Sequence, residues 1–340
     1  MPTIYDIAKA AGVSPATVSK VFNNYSDVSK KTKEKVMAIV KDMGYVPNLT
    51  AQALKTNKSY LVGVMFSEDM GIGLEHQYFS VVLESFRKTI GTHGYDTVFI
   101  NKTLGDNEIG YVEHCKYRNV DGVFIITAMP DDIDIDELRK SKIKCVTTDI
   151  RYKDIPLIAS DNVDGSIQAV NYLYNKGHRR IAHLAGPRDT RAGRERYEGF
   201  IEGLKKVGIH YDESYFGEVS WYDDQRAYNF TKNFMKRFSQ DNIPTAIYAG
   251  ADIIAAGVIH ALDSLGLRVP QDVSVIGFDD IEMARHMTPA LTTVMQDKEL
   301  IGKSVADKLN KMMNNVEVNC FLPRIPVSIV ERASVIKISR

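Results

Sequence analysis

The chain has 340 residues, 44% of them hydrophobic and 25% charged, with 43 basic and 43 acidic side chains. That length predicts two or three folding units. The absence of an apolar run of about 18 residues or a secretory leader argues against a membrane or exported protein. Cys115, Cys145 and Cys320 are odd in number and widely spaced, which argues against a disulfide frame or zinc site and places the expected location in the cytoplasm.

The neutral total hides an asymmetry. Residues 1–58 carry nine lysines and no arginine against four carboxylates, a net of +5, so the remainder is −5. A cationic head on an acidic body suits a polyanionic partner. In that head, Thr3 is placed to cap a helix whose apolar face is Ile4, Ile7, Ala8 and Ala11. Gly12 supplies a positive-φ turn, Ser14 caps a second helix, and Pro15 occupies its first position, where a missing N–H costs nothing. Val18 and Val21 point inward, leaving Ala16, Thr17, Ser19, Lys20 and Asn23 outside. This is a helix-turn-helix with a short polar reading helix. A third helix over 31–43 closes the bundle through Val36, Ile39, Val40 and Met43, and Gly44 ends it. Residues 50–55 contain helix formers but are too few to be stable alone.

From Leu61 the pattern changes to apolar strands alternating with amphipathic helices. Strands are predicted at 61–66, 95–100, 121–127, 143–149, 157–161, 180–185, 245–250 and 273–278. Helices are predicted at 79–93, 165–176, 194–207, 228–238 and 253–265. Alternation of this kind means parallel sheets covered on both faces, and eight strands divide better into two lobes than into one sheet.

Residues 3–58 resemble the DNA-binding head of the lac/galactose repressor family. The resemblance continues through Leu61-Val62-Gly63-Val64, Lys176–Ala182, Leu184-Ala185-Gly186-Pro187, Val275–Asp280 and Leu291-Thr292-Thr293-Val294. It implies a small all-α helix-turn-helix head plus an α/β body of two doubly wound parallel-sheet lobes, periplasmic-binding-protein-like, with the chain crossing between lobes about three times. The expected division is 1–48 for the head, 49–59 for a hinge helix and linker, and 60–340 for an effector-binding and dimerisation body. Within the body, the N-lobe takes about 60–160 plus 290–321 and the C-lobe about 161–289 plus 322–340.

On DNA, Ser14, Thr17, Ser19 and Asn23 can bond phosphates or base edges, and Tyr5 can reach a phosphate. The resemblance places Pro15 and Ala16 where the family reads bases. Neither can make a bidentate hydrogen bond, so shape and apolar contact must serve there. Lys20 is the long cation of the reading helix, suited to guanine. The resemblance makes Leu54 a minor-groove wedge, flanked by Asn48 and Ala51, in a homodimer on palindromic operator DNA.

Between the lobes, Trp221 offers the chain's one indole for stacking on a sugar ring or planar base, and it stands in a polar run unlike core. Asp279 ends a buried strand, where open α/β sheets present ligand-contacting groups. Arg194, Arg188 and Thr190 follow the Gly186-Pro187 turn, Tyr78 and Phe79 form an aromatic step, and Asp149 and Asp252 lie at further strand ends. Together they predict a small-molecule effector, most simply a sugar or sugar derivative. Two features depart from the family pattern: Ala251 stands where a polar residue is frequent, and Lys298 where an aromatic is common. Residues 67–76 form a longer loop that could cover the cleft.

Two other readings compete, namely a regulator controlled by a phosphorylated protein and a sugar-binding protein without DNA function. No cofactor, metal or catalytic group is expected. His178 has no nucleophile partner by motif and reads as structural.

Overall fold

The computed structural model describes residues 2–22, 25–45, 58–66, 74–128, 132–221, 223–316 and 324–338. The chain divides into two compact units, Met1–Tyr60 and Leu61–Arg340. Asn23, Asn48, Ala51, Leu54, the hinge helix, residues 67–73 of the loop and Cys320 lie outside the described residues.

In the first unit, α1 (Ile4–Ala11) opens on a reciprocal cap: Asp6 N–H donates to Thr3 Oγ1 while the Asp6 carboxylate accepts from Thr3 N. Gly12 closes it at φ 64°. Helix α2 (Pro15–Phe22) is capped by Ser14, whose Oγ accepts from Thr17 N at 3.1 Å. Helix α3 (Lys30–Asp42) packs across both. Their common core is Ile7, Ala8, Ala11, Val18, Val21 and Val36, with Ile39, Val40 and Met43 at its edge.

The second unit contains two sheets. In the N-lobe, β1 (Leu61–Phe66), β2 (Asp96–Phe99), β5 (Gly122–Thr127) and β6 (Lys144–Thr147) lie in the order β2-β1-β5-β6, all parallel. They are joined through α4 (Gln77–Thr92), α5 (Tyr111–Arg118) and α6 (Ile133–Lys140). A separate antiparallel ribbon of two two-residue strands, β3 (Thr103–Leu104) and β4 (Asn107–Glu108), follows β2 in the chain.

The C-lobe sheet has six strands. They are β7 (Ile181–Ala185), β8 (Phe216–Glu218), β9 (Ala246–Ala249), β10 (Ser274–Asp279), β11 (Thr292–Gln296) and β12 (Val327–Val330), in the order β12-β11-β10-β9-β7-β8. Only β12 runs antiparallel to its neighbour. Helices α7 (Asn162–Asn175), α8 (Arg191–Lys206), α9 (Asp224–Met235), α10 (Asp252–Ser264) and the short α11 (Met283–His286) belong to this lobe, while α12 (Lys298–Met313) packs on α4 in the N-lobe.

Three features correct the sequence reading. Residues 157–161 form no strand; they make single bridges, Leu157 to Thr147 and Ser160 to Ile325, within the crossing between lobes. Their apolar pattern records burial of Ile158 and Ala159 in that connection, not a ladder. Residues 290–296 were expected in the N-lobe, but β11 pairs with β10, so the chain leaves the C-lobe only at about residue 297. Helix α8 begins three residues earlier than expected because Thr190, not a residue nearer Arg194, supplies the cap to Gly193 N.

Among the described residues no helix is long and apolar enough to cross a membrane, and no cluster of His, Cys, Asp and Glu could hold a metal ion. Cys115 and Cys145 are free, buried thiols.

Candidate functional site

The head presents a polar surface on α2. Ala16 and Lys20 are exposed, Pro15, Thr17 and Ser19 are partly so, and Tyr5 on α1 is 71% exposed. Ser14 also pairs with the Thr17 hydroxyl at 2.9 Å, so both side chains have a capping role beside any DNA contact. The Lys20 ammonium pairs with Asp27. Both groups are about half exposed, so the pair is weak and Lys20 can exchange Asp27 for another anion at little cost.

In the body, the C-terminal ends of the strands face one cleft. Tyr78, Phe79, Asp149, Thr190, Trp221 and Asp279 all line it, together with His76, Ser160, Asn162, Arg191, Arg196 and Gln296, which the sequence reading missed. The centre of its polar wall is Arg196. Its Nε donates to Asn162 Oδ1 at 2.9 Å, Nη1 to the Gly250 carbonyl at 2.5 Å and Nη2 to Asp279 Oδ1 at 3.3 Å. Gln296 Nε2 donates to the same Asp279 oxygen at 2.6 Å. The Arg196 guanidinium lies 3.8 Å from the Phe278 ring centroid and 5.1 Å from that of Trp221.

A second arginine spans the lobes. Arg191, at the start of α8, donates from Nε to the Asp149 carbonyl and from Nη2 to the Thr148 carbonyl at 3.2 Å, just past β6. Its Nη1 pairs with Glu195 at 2.6 Å, and Glu195 also accepts from Asn162 and Arg324, each at 3.0 Å. Asp149 Oδ2 accepts from the Thr127 hydroxyl at 2.8 Å. Burial pushes the Asp149 carboxyl up and the His76 imidazole down, and burial beside Asp279 holds the Tyr78 phenol well above its ordinary range. Each cleft arginine is thus matched by a carboxylate.

Trp221 departs from expectation. It is 7% exposed and belongs to the C-lobe apolar cluster while still lining the cleft. Its Nε1 donates to Thr190 Oγ1 at 3.2 Å, and its ring covers Gly186, where any Cβ would meet the indole at 2.2 Å.

Three predicted contact residues lie elsewhere. The buried stripe of α8 runs through Glu195, Arg196, Gly199, Phe200, Gly203 and Leu204, which turns Arg194 out to solvent. Arg188 pairs with Glu218 at 2.8 Å and lies over the rings of Tyr197 and Phe216, outside the cleft. Asp252 is fully buried and accepts from Thr293 Oγ1 at 2.6 Å and from Ile281 N at 2.9 Å. It staples β11 to the chain after β10, and burial near Asp279 holds its carboxyl far above the usual range. The Thr190 cap was the signal that would have moved the contact residue from Arg194 to Arg196. His178 is also buried, between Thr245 Oγ1 and the Ile336 carbonyl.

Comparison with known proteins bears on both units. Residues 3–48 match the family model for bacterial regulatory proteins, lacI family, and residues 170–335 that for a periplasmic binding protein-like domain. The HTH-type transcriptional repressor PurR of Edwardsiella ictaluri is 33% identical over 340 residues, covering 98% of this chain and 97% of the relative. PurR of Pectobacterium carotovorum subsp. carotovorum is 33% identical over 343 residues, with the same coverage. Among solved structures, the lac repressor dimer bound to operator and the anti-inducer ONPF superposes with a TM-score of 0.80 at 30% identity, covering 98% of this chain and 99% of that one. A complex of the transcriptional regulator CelR with cellobiose gives 0.71 at 27% identity, covering 98% and 100%. The chain belongs to the lacI family of bacterial regulatory proteins and is a DNA-binding transcription regulator.

Proposed function

We propose that the protein is a dimeric repressor that binds palindromic operator DNA through α2 and is controlled by a neutral polyhydroxylated molecule, a sugar or sugar derivative, held between the lobes. The observation that carries the effector class is the charge pairing of the cleft. Arg196 is balanced by Asp279 and Arg191 by Glu195. A charged effector would leave one of these buried groups without its counterion, at considerable cost. A hydroxyl can donate and accept at once, and so fits a wall that alternates Asp149, Asn162, Thr190, Arg196, Asp279 and Gln296. The rings of Phe79 and Trp221 supply apolar surface for a sugar's C–H face.

The lac repressor dimer bound to operator and the CelR–cellobiose complex supply parallels for operator and carbohydrate binding. Control follows from linkage: a molecule that binds one arrangement of the lobes better than another biases any coupled change in the DNA-binding units.

Two experiments test the reading. Operator selected from a random duplex pool should be bound with a log–log salt slope of several units, because two cationic heads displace phosphate counterions. Thermal shift with neutral mono- and disaccharides, sugar phosphates and nucleobases should single out a neutral sugar. A shift with only a nucleobase or only a phosphate ester would overturn the effector class.

A further inference from the structure

We propose that Lys298 is a positioning residue of the cleft: its ammonium holds the backbone that presents the Asp279 carboxylate. Asp279 and Asp280 are successive non-glycine residues at φ 119° and φ 50°, a conformation that L side chains adopt rarely and that needs external support. In this turn the carbonyls of both residues meet Lys298 Nζ, at 2.6 and 3.0 Å, and the Gln296 carbonyl lies at 3.3 Å. An ammonium has three N–H donors, and here three carbonyls receive them.

Lys298 stands at the first position of α12, where the helix dipole disfavours a cation. Among the described residues no carboxylate forms a salt bridge with it, and burial lowers its affinity for its proton. The carbonyl cage is what holds it in place. Two of the three residues whose backbones it binds are also joined through their side chains, Gln296 Nε2 to Asp279 Oδ1 at 2.6 Å. From that oxygen the connection runs to Arg196 and on to Trp221. Lys298 therefore does not line the cleft itself, yet it holds the backbones of two residues that do, Asp279 and Gln296. Its functional weight rests on the cleft being the effector site.

The test needs no effector, so the two readings can fail separately. Trp221 is the only tryptophan, and its emission reports the Arg196 side of the cleft. In the full chain, Lys298→Met keeps the stem without the donors. Acrylamide quenching of Trp221 should rise about twofold as the Asp279 turn relaxes and Arg196 loses its fixed partner. In an Asp279→Asn background the same substitution should add nothing, because the route runs through that carboxylate. Lys298→Ala should recover the native signal with ethylammonium but not with tetramethylammonium, which has no N–H. If Lys298→Met does not fold, as seen by circular dichroism, the Lys298→Ala rescue pair decides. Native emission in Lys298→Met, an equal change in both backgrounds, or rescue by either cation alike would overturn the assignment.

Discussion

The head and the cleft use polar residues in opposite ways. On α2 the side chains suited to DNA are local in sequence and largely open to solvent, and Lys20 has only a weak surface partner. In the cleft the polar groups come from positions between His76 and Gln296, are mostly buried, and are already hydrogen-bonded to one another. The difference teaches that charge reads as affinity in the first region and as architecture in the second. Substitutions at the cleft should therefore cost stability as well as binding, whereas those at the exposed α2 positions Ala16 and Lys20 should cost binding alone.

The largest effect should come from Arg196→Met. It removes the buried counterion of Asp279 and the donors to Asn162 Oδ1 and the Gly250 carbonyl, costing about 3–5 kcal/mol of body stability. Urea unfolding of the full chain, followed through Trp221, measures it; a loss below about 1 kcal/mol would return Arg196 to an ordinary surface role.

A second test uses pH. Burial lowers the His183 imidazole to about 4, with Nδ1 donating to the Tyr248 carbonyl at 2.9 Å. Its unfolded-state value is near 6.5. The unfolded chain thus binds the extra proton first, and the stability contributed by neutral His183 is complete above about pH 6.5 and lost as pH falls through 4. The loss is on the order of 3 kcal/mol. Asp149 and Asp252, raised by burial, act with the opposite sign. The informative quantity is the difference between wild type and His183→Asn, which keeps the donor but does not titrate. Stability in the variant should fall less between pH 7 and 5; identical slopes would contradict the account.

Smaller effects should mark the head. Thr3→Ala removes the α1 cap and should cost about 1 kcal/mol by thermal unfolding. Lys20→Ala should change stability by less than about 1 kcal/mol, since the Asp27 pair is exposed. It should still weaken operator binding and lower the salt slope by about one unit if Lys20 meets a phosphate. An unchanged slope with relaxed base preference would instead place it on a guanine.

The same contrast explains what was legible in the sequence. The head's caps, turn glycine and inward valines act within a few residues of one another, so local pattern was enough to place α1, α2 and α3. In the body, Tyr78, Asp149 and Asp279 were found because strand ends and aromatic steps leave local marks. Arg196 was missed by two positions because the Thr190 cap sets the phase of α8, and a helix shifted in phase buries a different arginine. Asn162 and Gln296 gave no local sign, since their partners are more than 15 residues away. Trp221 looked solvent-facing from its polar neighbours, yet the bare Gly186 backbone makes room to bury it.

The most direct test of the central claim, that a molecule in the cleft governs the head, compares wild type with Asp279→Asn. Operator affinity is measured with and without the neutral sugar identified by thermal shift. Asn keeps the size of the side chain but replaces an acceptor of two hydrogen bonds with an amide, and should weaken sugar binding by about 1–3 kcal/mol. The account predicts that both proteins bind operator equally without sugar and that the variant's response midpoint moves upward by about fivefold or more. A variant that responds with the wild-type midpoint would contradict it.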